Sequence, residues 1–368
     1  MPSAASSNRR DFLTGKAARA VAERAGDHLA DAITANSAGR PVPEAGDTVR
    51  LTTRAMACDF AVVLNPQPGD QVLAASAALD RIHRLEEQMS VYRDDSELSL
   101  LNRRAFSEAV PVEPKLFELL RQAARIVERT ESGFDPTSGP LIALWRHCRD
   151  AGRIPTDAEI AAALERTGIH HVQFDDDRRT TRFDRTDVEL NLGGIGKGYA
   201  LDEAGALLSE RGVDAWLMHG GRSSLLAKGD HAGQPGWPIG IRHPLFPHRR
   251  LATILLQNRG LSTSGSGVQS FRHGGKRYGH ILDPRTGRPA ETMLSVTVLA
   301  PTAAEADALS TAFYVLGVEK SREYCDNHQE VGAILIPPPG SGRTLVPVVC
   351  GLDESTLFFS ETGTGGSD

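Results

Sequence analysis

The sequence predicts an α+β fold, a layered mixture of helices and largely antiparallel sheets. Helical and strand-like segments are mixed without the steady βαβα order of a doubly wound fold. Short alternating runs follow one another closely, as at residues 239–242 and 251–256, which is typical of antiparallel neighbours. A chain of 368 residues, 40% of them hydrophobic and 24% charged, is long enough to bury a large core.

Composition argues against several classes of function. The net charge is −6, from 41 Lys and Arg against 47 Asp and Glu, whereas a general nucleic-acid surface needs a basic excess. No run approaches the ~18 consecutive apolar residues of a membrane helix, so we expect no membrane span. Four widely separated cysteines, Cys58, Cys148, Cys325 and Cys350, have no metal-site spacing and require no disulfide framework.

The chain divides into three parts. We expect an N-terminal helix and linker over residues 1–48, one main domain over residues 49–350, and a C-terminal tail over residues 351–368. The start carries Arg9-Arg10 followed by Asp11, which is similar to a twin-arginine export signal. Charged residues interrupt the apolar region that such a signal needs. Localisation therefore stays open between the cytoplasm and export.

Within the main domain, periodicity and end signals predict the order of the elements. Capping-box patterns begin two of the helices, at Thr156–Glu159 and at Thr302–Glu305, and Gly317 ends the second of them. Helices are predicted over residues 72–89, 116–127, 156–164, 196–211 and 302–315. Strands are predicted over residues 49–64, 171–174, 181–183, 215–218, 239–242, 251–256, 295–299, 331–336 and 344–349.

A glycine-rich stretch at residues 189–202 joins a strand-like run to a helix. Its glycines let the backbone approach a ligand, and the helix start would present free N–H groups beside Lys197. It matches neither common phosphate motif. Gly198 follows the lysine where a Walker A loop needs Ser or Thr, and Tyr199 stands where a dinucleotide fingerprint needs glycine. Anion binding and tight packing both stay open on this evidence.

Asp307 and Thr311 are four residues apart on the last predicted helix, so both project from one face. A carboxylate beside a hydroxyl supplies the hard oxygen ligands that Mg²⁺ prefers. The alternative is that Asp307 complements the helix dipole. We expect this face to be exposed.

Three further residues have a chemical and a structural interpretation each. His280 could act as a general base or could be a loop histidine held by backbone groups. The Tyr92 ring could stack on a planar ligand or could cover a turn. Asp135 could line a pocket or could cap its own loop.

Seven segments, taken together and in order, resemble the ApbE family of flavin transferases. The resemblance covers roughly residues 52–335, nearly all of the chain except its ends. The matching segments are LEEQMSVY at 85–92, GFDPT at 133–137, NLGGIGKGYALD at 191–202, HGG at 219–221, TSG at 263–265, HILDPRTG at 280–287 and ADALSTA at 306–312.

The resemblance implies an ApbE-like, T-fold-related architecture and an enzyme that uses FAD and Mg²⁺. It implies transfer of FMN to a Thr or Ser of an acceptor flavoprotein, with release of AMP. Asp307, Thr311 and the Gly194 carbonyl would hold Mg²⁺. Asp307 and His280 would be the catalytic residues, although a nearby carboxylate could replace His280 as the base. The residues implied for flavin binding are Met56, Tyr92, Gly133, Phe134, Asp135, Pro136, Asn191, Gly194, Lys197 and Ile281.

The chain departs from the family pattern at three positions. The family usually has Asp where this chain has Asn191, often Ala at Gly194, and commonly Asp or Asn where Arg222 stands. The loss of a carboxylate at Asn191 removes a negative charge and a potential base. Two alternatives to transfer therefore stay open, which are hydrolysis of FAD to FMN and AMP and non-catalytic binding of FAD.

Overall fold

The computed structural model describes residues 43, 46–67, 69–265, 270–339 and 345–359. The expected N-terminal helix lies outside the described residues, as do most of the linker and the end of the expected tail. None of the helices in the described ranges combines the length and the apolar character needed to cross a membrane.

The first half of the described chain is mainly helical. Its elements are β1 Val49–Ala55, β2 Cys58–Leu64, α1 Gln71–Met89, α2 Glu97–Arg104, β3 Val110–Pro111, α3 Pro114–Arg129, α4 Gly139–Asp150, α5 Asp157–Leu164, a 3₁₀ turn at Ile169–His171, β4 Val172–Asp175 and β5 Thr180–Phe183.

The second half contains most of the sheet and three further helices. Its elements are α6 Gly196–Glu210, β6 Trp216–Gly220, β7 Ser224–Lys228, β8 Trp237–Arg242, β9 Arg250–Leu256, β10 Arg259–Gly265, β11 Ser270–His273, β12 Lys276–Gly279, β13 Leu282–Asp283, β14 Arg288–Pro289, β15 Ser295–Ala300, α7 Ala303–Leu316, α8 Val318–Asn327, β16 Gly332–Ile336, β17 Val348–Cys350 and β18 Leu357–Phe359.

One sheet of eight strands organises the described domain. Its order is β1-β2-β6-β7-β10-β15-β16-β17, and every neighbouring pair is antiparallel. A second sheet, β18-β9-β8, is antiparallel as well. The predicted α+β class with largely antiparallel pairing is confirmed.

Both faces of the large sheet are covered, and β15 shows how its sequence achieves this. Val296 and Val298 point to the core beneath the helices, whereas Leu299 points to the core beneath the second sheet. Side chains alternate between the two faces of a strand, so a strand covered on both faces is apolar throughout. All six residues of β15 are accordingly buried.

Helix α7 lies at the centre of the helical layer. It packs on β10 and β15 and is flanked by α3, α6 and α8. Eleven of its fourteen residues are buried, and its sequence has no broad polar face to present to water. A buried helix of this kind holds its side chains in fixed positions, which matters for the site that it carries.

Two expectations about the chain need correction. The expected tail over residues 351–368 does not begin at residue 351, because β18 pairs with β9 and extends the folded part to residue 359. The capping box at Thr156–Glu159 is confirmed in both directions. At the start of α7 Thr302 accepts from the Glu305 N–H, but the Glu305 carboxylate bonds to Arg129 instead of returning to Thr302.

Candidate active site around Asp307

Asp307 lies one turn into α7, where four groups surround its carboxylate. Oδ1 accepts hydrogen bonds from the hydroxyls of Ser224 and Ser262, both at 3.0 Å. Oδ2 accepts from the Gly198 N–H at 3.2 Å and lies 3.3 Å from Lys197 Nζ. Hydrogen-bond donors and a cation therefore compensate the buried negative charge.

The expectation that Asp307 lies on an exposed helix face is wrong. The residue is 4% exposed, because α7 packs against the sheet on one side and against α6 on another. A carboxylate with four specific partners is also more than a complement to the helix dipole. Its position is determined by three other elements, β7, β10 and α6.

Thr311 lies one turn beyond Asp307 on α7, and the turn that contains Gly194 passes next to it. The Thr311 hydroxyl donates to the Asp307 carbonyl at 3.3 Å. A Cβ placed on Gly194 would lie 3.5 Å from Thr311 Oγ1 and 3.1 Å from the Phe134 ring. The backbone at Gly194 therefore passes close to Thr311, and an alanine there would require Phe134 to shift by a few tenths of an ångström.

Asp307, Thr311 and Gly194 supply a carboxylate, a hydroxyl and a backbone carbonyl in one region of the site. These are the hard oxygen donors that suit Mg²⁺, which binds through one or two carboxylates together with water and substrate phosphates. Within the described ranges no three His, Cys, Asp or Glu side chains converge as metal ligands. Oxygen donors of this kind suit Mg²⁺, whereas imidazole and thiolate ligands suit zinc and copper.

The glycine-rich turn is held by its own polar groups. Asn191 Oδ1 accepts from the Gly193 N–H at 2.9 Å, and the Asn191 N–H donates to the Pro136 carbonyl at 2.6 Å. An aspartate could accept the same bond from Gly193. The side-chain oxygen at this position therefore shapes the turn, and the departure at Asn191 changes charge more than geometry.

The expectation of free N–H groups at the start of α6 is wrong for Gly196 and Gly198. The Gly196 N–H donates to the Leu192 carbonyl at 2.7 Å, and the Gly198 N–H donates to Asp307. A ligand phosphate would accordingly meet the Lys197 ammonium, which is only partly buried, before it meets these amides.

The loop after α3 packs against the glycine-rich turn that contains Gly194. Asp135 is buried, and its carboxylate accepts from the Thr137 N–H and hydroxyl and from the Ile169 N–H. Burial raises the pKa of Asp135, although these three bonds oppose the shift. The carboxylate is used to hold the loop, which agrees with the interpretation of Asp135 as a loop cap. Its neighbour Phe134 packs against Gly194.

Two predicted flavin contacts lie in turns at the edge of the helical layer. Met56 and Ala57 connect β1 to β2 with φ of 48° and 58°, a conformation that costs energy for residues other than glycine. Glu86 on α1 stabilises this turn by accepting from the Met56 N–H. Tyr92 is 72% exposed, and the Arg146 guanidinium lies 5.2 Å from the centre of its ring.

His280 is exposed directly after β12, and Ile281 beside it is buried in the main core. The role of His280 as a base stays a prediction.

His219, in the HGG segment at residues 219–221, is buried. Its Nε2 lies 2.8 Å from an Arg50 nitrogen. Burial and the nearby charges of Arg50 and Arg222 lower the pKa of His219 to about 4.

Sequence reasoning missed the serines around Asp307. Ser224 and Ser262 face each other across β7 and β10, and Ser264 bonds to Ser310 at 2.9 Å. Strand alternation places Ser262 and Ser264 on one face, but only the sheet order shows that this face meets α7. Single serines in strands gave no signal of their own.

A family model described as the ApbE family matches residues 48–335. The FAD:protein FMN transferase of Salmonella typhimurium is 36% identical over 262 residues, which is 69% of this chain and 74% of the relative.

Solved structures agree with this match. The flavin transferase ApbE from Vibrio cholerae superposes with a TM-score of 0.74 at 29% identity, covering 83% of this chain and 97% of that one. The ApbE protein from Thermotoga maritima gives a TM-score of 0.73 at 30% identity, covering 81% and 97%.

Proposed function

The chain belongs to the ApbE family, and we propose that it is an FAD:protein FMN transferase. The substrate is FAD, and the acceptor is a flavoprotein with a reactive Thr or Ser. The observation that carries the proposal is the buried Asp307 carboxylate. It is held beside Lys197, one helical turn before Thr311, which the Gly194 backbone approaches. Phosphoryl-type transfer needs such a fixed arrangement of charge more than it needs covalent participation by the protein.

The reaction exchanges the phosphoanhydride linkage of FAD for a phosphoester linkage to the acceptor. The acceptor hydroxyl oxygen bonds to the FMN phosphorus of FAD, and the bond from that phosphorus to the bridging oxygen breaks. AMP departs with the bridging oxygen and its electron pair, and the hydroxyl proton goes to a base. Negative charge gathers on the phosphate oxygens during this step, so the site must supply positive charge.

Lys197 and the Mg²⁺ donor set meet that requirement. Asp307, Thr311 Oγ1 and the Gly194 carbonyl would hold Mg²⁺, which neutralises charge on the phosphate oxygens when bound. The Asp307 carboxylate also orients the Lys197 ammonium toward the same region. Burial strengthens both effects, because water screens charges less inside the protein.

The remaining predicted residues would position the flavin and the proton acceptor. Tyr92 has an exposed ring that can stack on the isoalloxazine, with Met56 and Ile281 as apolar neighbours. His280 is solvent-accessible and can take the hydroxyl proton in its neutral form. Asn191 keeps the turn that carries Gly193 and Gly194.

The direct test incubates the protein with FAD, Mg²⁺ and a purified acceptor flavoprotein. AMP release is followed by chromatography, and the acceptor is weighed by mass spectrometry. Stoichiometric AMP with an FMN-sized gain in acceptor mass is expected. AMP without a mass gain would replace transfer by hydrolysis, and bound FAD without AMP would overturn both catalytic assignments.

An acceptor whose target Thr is replaced by Val controls for non-covalent flavin. This acceptor keeps the shape of the site but lacks the attacking oxygen, so we expect neither mass gain nor stimulated AMP release. EDTA provides the metal control, and re-addition of Mg²⁺ should restore transfer.

A further inference from the structure

Asp202 lies near the middle of α6, and its carboxylate contacts α7, the helix that carries the candidate site. Oδ1 accepts from the Ala303 N–H and Oδ2 from the Ala304 N–H, both at 2.8 Å. These two N–H groups belong to the first turn of α7, which has no carbonyl partners within its own helix. A side chain of one helix thus completes the start of another.

The two helices also approach closely at this point. A Cβ on Gly198 would lie 2.1 Å from the Ala303 carbonyl oxygen, which leaves no room for any side chain. From the sheet side, a Cβ on Gly260 would lie 2.5 Å from Ala303 Cα. Ala303 is therefore enclosed between two glycines and is fully buried.

The contacts between α6 and α7 follow a regular register. Asp202 meets Ala303, Gly198 meets Asp307, and the Gly194 turn meets Thr311. Each step of four residues forward along α7 matches a step of four residues back toward the start of α6. We call this set of three contacts the α6–α7 register. The metal-binding donors occupy its second and third steps, and Asp202 occupies its first.

We propose that Asp202 is a positioning residue, which sets the α6–α7 register and so brings Lys197 and Gly194 onto Asp307 and Thr311. The inference rests on the proposed function of the site. Eight residues of helix separate Ala303 from Thr311, about 12 Å along the axis. Asp202 therefore acts through the two helices and does not touch the substrate.

The chemistry of the carboxylate suits this task. Two oxygens can accept from two adjacent N–H groups at once, and this fixes both the distance and the rotation of α7 relative to α6. An asparagine has one oxygen and would direct an NH₂ group at an N–H. Burial raises the pKa of Asp202 to about 7, although both backbone bonds oppose the shift.

The alternative is that Asp202 only stabilises α7 as any cap does. Thr302 provides the matched comparison, because it caps the same turn through the Glu305 N–H but belongs to the chain just before α7. Loss of this cap should lower Tm without moving α7 relative to α6.

The experiment compares Asp202→Asn with Thr302→Ala in two readouts. The first is the Mg²⁺ concentration that half-saturates AMP release, and the second is the Mg²⁺-dependent rise in Tm in the presence of FAD. We expect Asp202→Asn to raise the half-saturating Mg²⁺ concentration by about 10- to 100-fold, as loss of an outer partner of metal ligands does. Thr302→Ala should lower Tm and leave the Mg²⁺ constant within about twofold.

Equal half-saturating Mg²⁺ concentrations in the two variants would overturn the proposal and leave Asp202 as a helix cap. If Asp202→Asn does not fold, Asp202→Glu decides the matter, because it keeps both oxygens and moves them by one methylene. An increase in the half-saturating Mg²⁺ concentration at near-native Tm supports the register, and an unchanged constant opposes it. Absence of AMP release by the wild-type chain would instead count against the proposed function, since the register concerns only differences between variants. The Tm readout still tests the register in that case.

Discussion

Helices α5 and α7 both begin with Thr-x-x-Glu, yet their first turns are completed in different ways. At α5 Thr156 accepts from the Glu159 N–H, and Glu159 returns a bond to the Thr156 N–H. At α7 the second half of the box is absent, and Asp202 supplies acceptors from another helix. The local box stabilises one helix, whereas the tertiary contact also relates two helices. The same sequence motif thus begins an ordinary helix at α5 and, at α7, the helix that carries the candidate site.

The largest expected difference between the two helices concerns catalysis. Asp307→Asn keeps the side-chain volume but removes the charge that would hold Mg²⁺ and orient Lys197. Turnover should fall by at least about a thousandfold, equivalent to ~4 kcal/mol of transition-state stabilisation. AMP release at saturating FAD and Mg²⁺ measures the loss.

The matched control is Glu159→Gln, which makes the same chemical change on α5. Among the residues that the structure describes, its carboxylate bonds to Arg153 and to Thr156. We expect near-native turnover. A similar loss in both variants would mean that charge near any helix start matters, and the distinction between α5 and α7 would fail.

The next effect concerns packing at the α6–α7 contact. Gly198→Ala places a Cβ against the Ala303 carbonyl, and both atoms belong to buried backbone that cannot move independently. The free energy of unfolding should fall by about 3 kcal/mol or more. Urea denaturation followed by circular dichroism measures this change.

Gly196→Ala is the internal control for that prediction. The added Cβ would lie 3.6 Å from the nearest atom, an ordinary van der Waals contact. Alanine also favours the helix by up to about 1 kcal/mol over glycine. We therefore expect equal or greater stability, and equal destabilisation by both substitutions would remove close approach as the explanation.

The carboxylates that complete the starts of α5 and α7 should make the stability of the fold depend on pH in opposite directions. Hydrogen bonds from Arg153 and Thr156 lower the pKa of Glu159 to about 2, so its stabilisation is present above the unfolded value and is lost as pH falls toward 2. Burial raises the pKa of Asp202 to about 7. Between pH 4 and 7 the folded state then binds more protons than the unfolded state, and stability falls as pH rises.

Tm measured from pH 3 to pH 8 for wild type, Glu159→Gln and Asp202→Asn tests these signs. The advantage of wild type over Asp202→Asn should shrink as pH rises from 4 to 7. Its advantage over Glu159→Gln should shrink only toward acid pH. If both differences in Tm changed with pH in the same direction, the opposite pKa shifts of Asp202 and Glu159 would be contradicted.

The smallest effect concerns the incomplete box on α7. Arg129→Ala removes the partner of Glu305 and frees that carboxylate to reach back to Thr302. A partly exposed ion pair contributes at most about 1 kcal/mol, and the restored box would offset part of the loss. Tm should change by little more than the measurement error, and a large decrease would assign Arg129 a structural role beyond the pair.

The sequence was most informative where structure is local. Apolar spacing predicted α1 and α3, and the Thr-x-x-Glu pattern with Gly317 predicted the bounds of α7. The three residues named for the metal site, Asp307, Thr311 and Gly194, lie together. Their assignment came from a resemblance of motifs in order, since four-residue spacing alone cannot show what faces a helix.

The environment of these residues depended on contacts between distant parts of the chain. Ser224 and Ser262 reach Asp307 because β7 and β10 are neighbours in the sheet, and no local pattern encodes that order. For the same reason, local spacing does not predict that Asp307 is buried. A helix without a broad polar face was the available signal that α7 is enclosed.

The enclosure of α7 has a consequence for how the protein moves. A helix surrounded by three strands and three helices opens only in the rare events that also open the rest of the domain, so its amide protons should exchange slowly with solvent. The distance between the carboxylate of Asp307 and the hydroxyl of Thr311 is then constant from one turnover to the next. In the proposed reaction, entry of FAD and departure of AMP would then be accommodated by surface turns, such as those that carry Met56 and Tyr92.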